Sequence, residues 1–150
     1  MTKLETDDCT LTIDCPIEPD PEDGEALPRR THNQKIAAWG ETAAAAYLRA
    51  SGYEILERNW RCDGGEADII AMDGTDLVFL EVKTRSSLKQ GFPEEAVTPA
   101  KRQRYERIAA YYLKDHDTPT LPLRFDVIGI LVLGEDRCIV KHHVNAFGVA

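Results

Sequence analysis

Asp68, Glu81 and Lys83 are the residues in this sequence whose types and spacing best suit chemistry. The two acids lie within apolar runs, Ala67 to Ala71 and Leu77 to Val82. In such settings they repel each other and resist desolvation. A divalent cation answers both problems, because magnesium takes hard oxygen ligands, usually one or two carboxylates completed by phosphate and water. A lysine is no ligand for magnesium. Two residues from Glu81, however, it is placed to neutralise a phosphate or orient an attacking water. The trio therefore suits hydrolysis of a phosphodiester in nucleic acid with Mg2+ (or Mn2+) as cofactor. The plain alternative makes Asp68 and Glu81 strand-end acids paired with Lys83 and Arg85 at the surface.

For the acids to meet, the two runs must be neighbouring strands in a suitable register. Asp73-Gly74 between them is a hairpin signal. A loop of residues 73 and 74 sets Asp68 against Phe79, with Glu81 on the diagonal at about 7–8 Å. A loop of residues 73–76 sets Asp68 directly against Glu81, at about 5 Å. In both cases Asp68, Glu81 and Lys83 share a face of the sheet, since side chains repeat every second residue. An odd loop would separate Asp68 from the others. Glu66 falls on the same face and reads as a supporting or structural acid.

The flanking elements follow from periodicity. A first helix, capped by Thr31 or Asn33, carries Ile36, Ala43, Tyr47 and Leu48 at helical spacing and stops at Gly52. A strand from Tyr53 to Arg61 and a turn at Cys62-Asp63-Gly64-Gly65 lead into the hairpin. Arg85 to Val97 reads as a loop. Thr98-Pro99 opens a second helix that buries Tyr105, Ile108, Ala109 and Tyr112 and ends near Asp115. Phe125 to Leu133 and Cys138 to Val144 form a last strand pair. The order αβββαββ gives an α/β fold with a mixed central sheet flanked by helices.

Bulk properties bound the function. The chain has 150 residues, 43% hydrophobic and 29% charged, which suits one globular domain. No apolar run of about 18 residues is present, and no leader precedes the acidic start, so a cytoplasmic protein without a membrane partner is expected. Cys9, Cys15, Cys62 and Cys138 show no paired spacing and read as reduced thiols rather than a zinc site with His142 or His143. The net charge of −8 is concentrated in residues 1–34, which carry −6, leaving −2 on the remainder. Residues 1–30, acidic and rich in proline, read as a disordered tail ahead of a domain at 31–150. Such a tail either aids solubility or competes with phosphates for basic groups. Those groups are Arg85 and Lys89 in the loop, and Lys101, Arg102 and Arg104 at the start of the second helix. They suit a nucleic-acid backbone, though a solvated helix face explains the helical three almost as well. Asp126 reads as the structural partner of a buried base. His142 and His143, adjacent on a strand, face opposite ways and read as structural or exposed.

Gly65-Glu66-Ala67-Asp68-Ile69-Ile70 and Val78-Phe79-Leu80-Glu81-Val82-Lys83-Thr84-Arg85 resemble the signature of the YraN-like family of uncharacterised proteins. Gly40-Glu41, Arg58-Asn59-Trp60, Pro93 to Val97, Lys101, Arg124-Phe125-Asp126 and Asn145-Ala146-Phe147 extend the likeness over roughly residues 35–147. That family is placed in the PD-(D/E)XK nuclease superfamily, near the archaeal Holliday-junction resolvases. The proline that the superfamily sets before the aspartate is Ala67 here. The resemblance implies a restriction-endonuclease-like fold and endonuclease activity, with branched or structured DNA as a substrate. It implies Asp68, Glu81 and Glu41 as metal ligands, with the Val82 carbonyl as a further one, and Lys83 at the water or scissile phosphate. It also points to a homodimer. A non-catalytic nucleic-acid-binding module within a larger DNA-processing complex is the competing expectation.

Overall fold

The computed structural model describes residues 8–14, 32–85, 98–116, 121–133 and 137–146. Their elements, in chain order, are β1 (Asp8–Asp14), α1 (His32–Ala50), β2 (Glu54–Cys62) and β3 (Gly65–Asp73), followed by β4 (Asp76–Arg85), α2 (Pro99–Asp115), β5 (Leu123–Val132) and β6 (Arg137–His143). From α1 onward this is the expected αβββαββ. One sheet holds all six strands in the order β1-β6-β5-β4-β3-β2. β4 and β5 run parallel and every other neighbouring pair is antiparallel.

β1 corrects the expectation of a tail disordered throughout residues 1–30. Asp8 to Asp14 pairs with β6 over its whole length, from Asp8 against His143 to Asp14 against Arg137. The acidic composition of the segment as a whole hid a short run, Thr10-Leu11-Thr12-Ile13, of residues that favour strands. A backbone ladder along the edge of β6 supplies what composition alone did not reveal. The remainder of that segment lies outside the described residues.

The two helices cover opposite faces of the sheet. α1 buries Ala44, Ala45 and Leu48 against Ile69, Val78 and Leu80. Gly52, at φ 91, ends it in the left-handed conformation glycine favours, and the Tyr53 N–H returns to the Leu48 carbonyl at 2.9 Å. α2 starts at the N-cap Thr98, whose hydroxyl accepts the Lys101 N–H at 3.1 Å. Its apolar stripe is the expected one: Tyr105, Ile108, Ala109 and Tyr112 pack on Phe79 and Val127. No helix among the described residues is long and apolar enough to cross a membrane.

Beneath α1, a polar network ties the sheet together. Arg124 reaches both Asp126 oxygens, each at 3.0 Å, and donates to Asp73 at 2.8 Å and to the Tyr53 hydroxyl at 2.6 Å. His142 bridges Asp126 at 2.7 Å and the Tyr47 hydroxyl at 2.9 Å. Asp126 therefore does partner a buried base, as its sequence context suggests. The Arg124 and His142 contacts hold its carboxyl below the usual range against the opposing pull of burial. His142 is buried and His143 only partly so, consistent with opposite faces. Cys62 and Cys138 are free thiols. Replacing Arg124 with methionine strands Asp126 and Asp73 without their cation. A loss of about 3–5 kcal/mol is expected, read as a lower urea midpoint at unchanged slope.

Candidate metal and phosphate site

The site forms where the β3–β4 ladder stops. Ile69 faces Leu80, Met72 faces Leu77 and Asp73 faces Asp76, the register in which Asp68 stands opposite Glu81. The turn itself is Gly74-Thr75, one residue later than the two-residue loop considered from sequence, with Gly74 at φ 61. Glycine first and an ordinary residue second fits a type II′ hairpin.

With Ile69, Leu80 and Val82 packed on the α1 side, alternation sends both Asp68 and Glu81 to the other face of the sheet, with one irregularity beside them. Ala67 packs on the α2 side and Ile69 on the α1 side, although they are two residues apart. The strict alternation assumed from sequence therefore slips at Asp68. Across from it in β2, Asn59 adopts φ 52, and the pairing passes from Arg58–Ile69 to Trp60–Ala67. A left-handed residue of this kind redirects the side chains beside it without shifting the register, and the register shift of the β2–β3 pair lies instead between Ile55 and Glu57. Asp68 turns toward β4, and its Oδ2 accepts the Val82 N–H at 2.8 Å. A side chain thus takes over a ladder bond at the point where the strands part.

Two electrostatic settings meet in this gap. Burial pushes the Asp68 carboxyl up to about 7, with the Val82 hydrogen bond opposing and the charges of Glu41, Glu81 and Glu66 adding to the rise. Glu81, only 6% exposed, is instead crowded by cations. Lys101 stands 2.8 Å from Oε2, while Lys83 and Arg104 lie 3.6 and 3.7 Å from Oε1. The Lys101 contact is an ion pair without hydrogen-bond geometry, so buried Oε2 has no hydrogen bond among the described residues. Asp68, set among Glu41, Glu81 and Glu66, and a Glu81 carboxylate met by cations but by no hydrogen bond at Oε2, fit a divalent cation held between them. Among the described residues, no three His, Cys, Asp or Glu side chains converge as a ready-made metal cage. Magnesium does not need one, since water and phosphate complete its shell.

Glu41 is carried by α1, which comes very close to β4 here. A Cβ built on Gly40 would collide with the Thr84 side chain, its hydroxyl oxygen first. Glycine at 40 therefore lets the helix lie against the strand and brings Glu41 near enough to raise Asp68. Of the other residues expected from sequence, Lys83, Lys101 and Arg104 join Glu81, Arg85 ends β4 half-buried, and Arg102 is exposed on α2. Lys89 lies outside the described residues. Tyr105 was legible only as core. Its phenol is pushed well up by burial and by the charges of Glu81 and Asp68, which places it beside the acids. The signal available was its spacing of four from Lys101, which puts both on one helix face.

A mixed sheet clasped between two helices, with an Asp and a Glu-x-Lys at the parting of two strands, defines the structural class. The chain belongs to the uncharacterised protein family UPF0102, whose profile matches residues 40–130. It is 49% identical over 107 residues to the UPF0102 protein of Beutenbergia cavernae, covering 71% of this chain and 91% of that one. The UPF0102 protein of Geobacter sulfurreducens is 44% identical over 119 residues, covering 79% and 93%. That of Chlorobaculum parvum is 47% identical over 110 residues, covering 73% and 85%.

Two outcomes follow from this geometry. Gly40→Ala forces α1 off β4 and is expected to lose about 1–3 kcal/mol, with Thr84→Ala in the same chain restoring part of it in a double-mutant cycle. For Asp68, the folded carboxyl titrates near 7 against an ordinary 3.8. Its contribution to stability is full below the lower value and is lost as pH rises to the upper one. Asp68→Asn escapes that loss. Without metal at about pH 8, its melting temperature should exceed the parent's by about 2–6 °C, a gap that closes toward about pH 4.

Proposed function

We propose that this protein is a metal-dependent endonuclease that hydrolyses phosphodiester bonds in DNA. The observation that carries this reading is the convergence of Asp68, whose carboxyl feels the charges of Glu41, Glu81 and Glu66, with Glu81 and Lys83 at one strand parting. Asp68 and Glu81 would hold Mg2+ or Mn2+, with Glu41 and the Val82 carbonyl as further oxygen donors. Bound there, the ion supplies charge neutralisation at the phosphodiester and eases deprotonation of water.

The remaining work falls to the chain. Lys83 orients the attacking water or takes one phosphate oxygen by its ammonium group. Lys101 and Arg104, which answer Glu81 in the absence of substrate, turn their charge to the non-bridging oxygens as the scissile phosphate enters. Buried Tyr105 stays protonated and closes the α2 wall, limiting bulk water around these charges. The resemblance to archaeal Holliday-junction resolvases supports branched or structured DNA as substrate, and a homodimer as the working form. A DNA substrate also fits a cytoplasmic setting.

A second reading is a nucleic-acid-binding module without turnover. It is favoured by the absence, among the described residues, of three converging metal-binding side chains. Cleavage assays on single-stranded, duplex and four-way-junction DNA with either metal separate the two. Nicking that Asp68→Asn or Lys83→Ala abolishes, while the fold survives, is the expected result. Salt-dependent binding with no product under either metal would replace the endonuclease with the module. Independently, millimolar manganese should raise the melting temperature of the parent and leave Asp68→Asn unmoved.

A further inference from the structure

Arg58 lies on β2, half-buried, on the far side of Asp68 from the cations that crowd Glu81. Its Nη2 donates to the Thr42 hydroxyl at 3.3 Å, a long bond. Its Nε is buried with no hydrogen-bond partner, and no carboxylate lies within ion-pair distance among the described residues. A guanidinium carries five donors and a charge that cannot be shed. Leaving that charge partly desolvated and unanswered is unfavourable, so a side chain kept this way points to an anion from outside.

The same molecule shows what a structural arginine looks like. Arg124 spends its donors on Asp126, Asp73, Asp76 and Tyr53 and has no open valence of this kind. Arg58 does not follow that pattern. Nor is its placement an accident of strand alternation. Regular pleating would put Arg58 and Trp60 on one face. With Asn59 at φ 52, Trp60 packs instead on Tyr112 at 5.2 Å, on the α2 side, while Arg58 reaches Thr42 on α1. A left-handed, non-glycine residue is strained backbone, which asparagine tolerates better than most. Here it delivers the guanidinium to α1 from the strand next to the one that carries Asp68, and Thr42 adjoins Glu41 in sequence.

We infer that Arg58 is a phosphate-binding residue that grips the nucleic-acid strand on the α1 side of the cleft, opposite Lys83, Lys101 and Arg104. Its planar fork matches two oxygens of a phosphodiester. The phosphate it takes flanks the scissile one, because Arg58 lies on β2, with β3 and its Asp68 between it and the Glu81 and Lys83 of β4. The inference rests on the nucleic-acid reading above and adds the residue by which the second side of the cleft recognises the backbone.

The test is titration of the full chain with a fluorescein-labelled, tailed DNA duplex in EDTA, over a series of KCl concentrations. Arg58→Met should weaken binding about tenfold and lower the slope of log affinity against log salt by about 1. Arg58→Lys, retaining the charge without the fork, should keep the parent slope and lose affinity only severalfold. Both variants should keep the manganese-induced rise in melting temperature, since Arg58 holds no metal. A parent-like slope in Arg58→Met overturns this role while leaving the nuclease reading intact. Failure of Arg58→Lys to fold overturns it too, by marking the arginine as structural. A parent chain that binds no DNA at any salt overturns both readings, whereas loss of the manganese shift in the parent alone counts against the metal site only.

Discussion

The hydrogen bond from the Val82 N–H to the Asp68 carboxylate is the contact on which the rest of this structure depends. A backbone donor in the middle of a sheet must find an acceptor, and a neighbouring strand normally provides it. Here the ladder between β3 and β4 ends at Ile69–Leu80, and an acid side chain supplies the acceptor instead. β4 is thereby released from β3 and continues beside β5 as far as Arg85. The gap this opens is reached from both helices, by Glu41 from one and Lys101 from the other. One carboxylate consequently serves the integrity of the sheet and the candidate chemistry together. Its substitution touches both, which is why an isosteric amide is the informative change.

Two clusters of charge within one small fold illustrate opposite solutions to burial. In the network of Arg124, Asp126, His142 and Tyr47, each charge is met by a partner of good geometry, and the result is a closed, rigid connection between α1, β5, β6 and the hairpin. At Asp68 and Glu81 the matching is incomplete: one carboxyl is pushed toward neutrality, and the other has more cations than hydrogen bonds. Buried polar groups that are fully satisfied specify a fold. Groups left in deficit are where a ligand gains most from entering.

Much of the fold was legible because its signals are local. Thr98-Pro99 and the spacing of Tyr105, Ile108, Ala109 and Tyr112 define α2 with no need of tertiary information. Gly52 ends α1 for the same reason, and the apolar runs on either side of Asp73-Gly74 identify the hairpin. Pairing Asp68 with Glu81 was readable from the register of an even-length loop. The slip at Asn59 and Asp68 was not, since a left-handed asparagine leaves no trace in periodicity and is stabilised by packing on both sides. β1 was obscured by the acids and prolines around it, and its pairing partner lies at the other end of the chain. The grip of Lys101 on Glu81 depends on how α2 docks on the sheet, which spacing within the helix does not encode.

The parallel seam between β4 and β5 has a consequence for how the chain reaches this state. Hairpins such as β3–β4 close within a few residues, but β5 joins β4 only after the chain has travelled through α2 and back across the sheet. Parallel pairing of this kind carries the entropy of a long loop before any contact rewards it. The assembly of β2, β3 and β4 with α1 draws mainly on nearby sequence, whereas Arg124 and Asp126 arrive with the late strand. Chain topology thus favours late closure of the polar clamp under α1, on a register that the local β3–β4 hairpin defines.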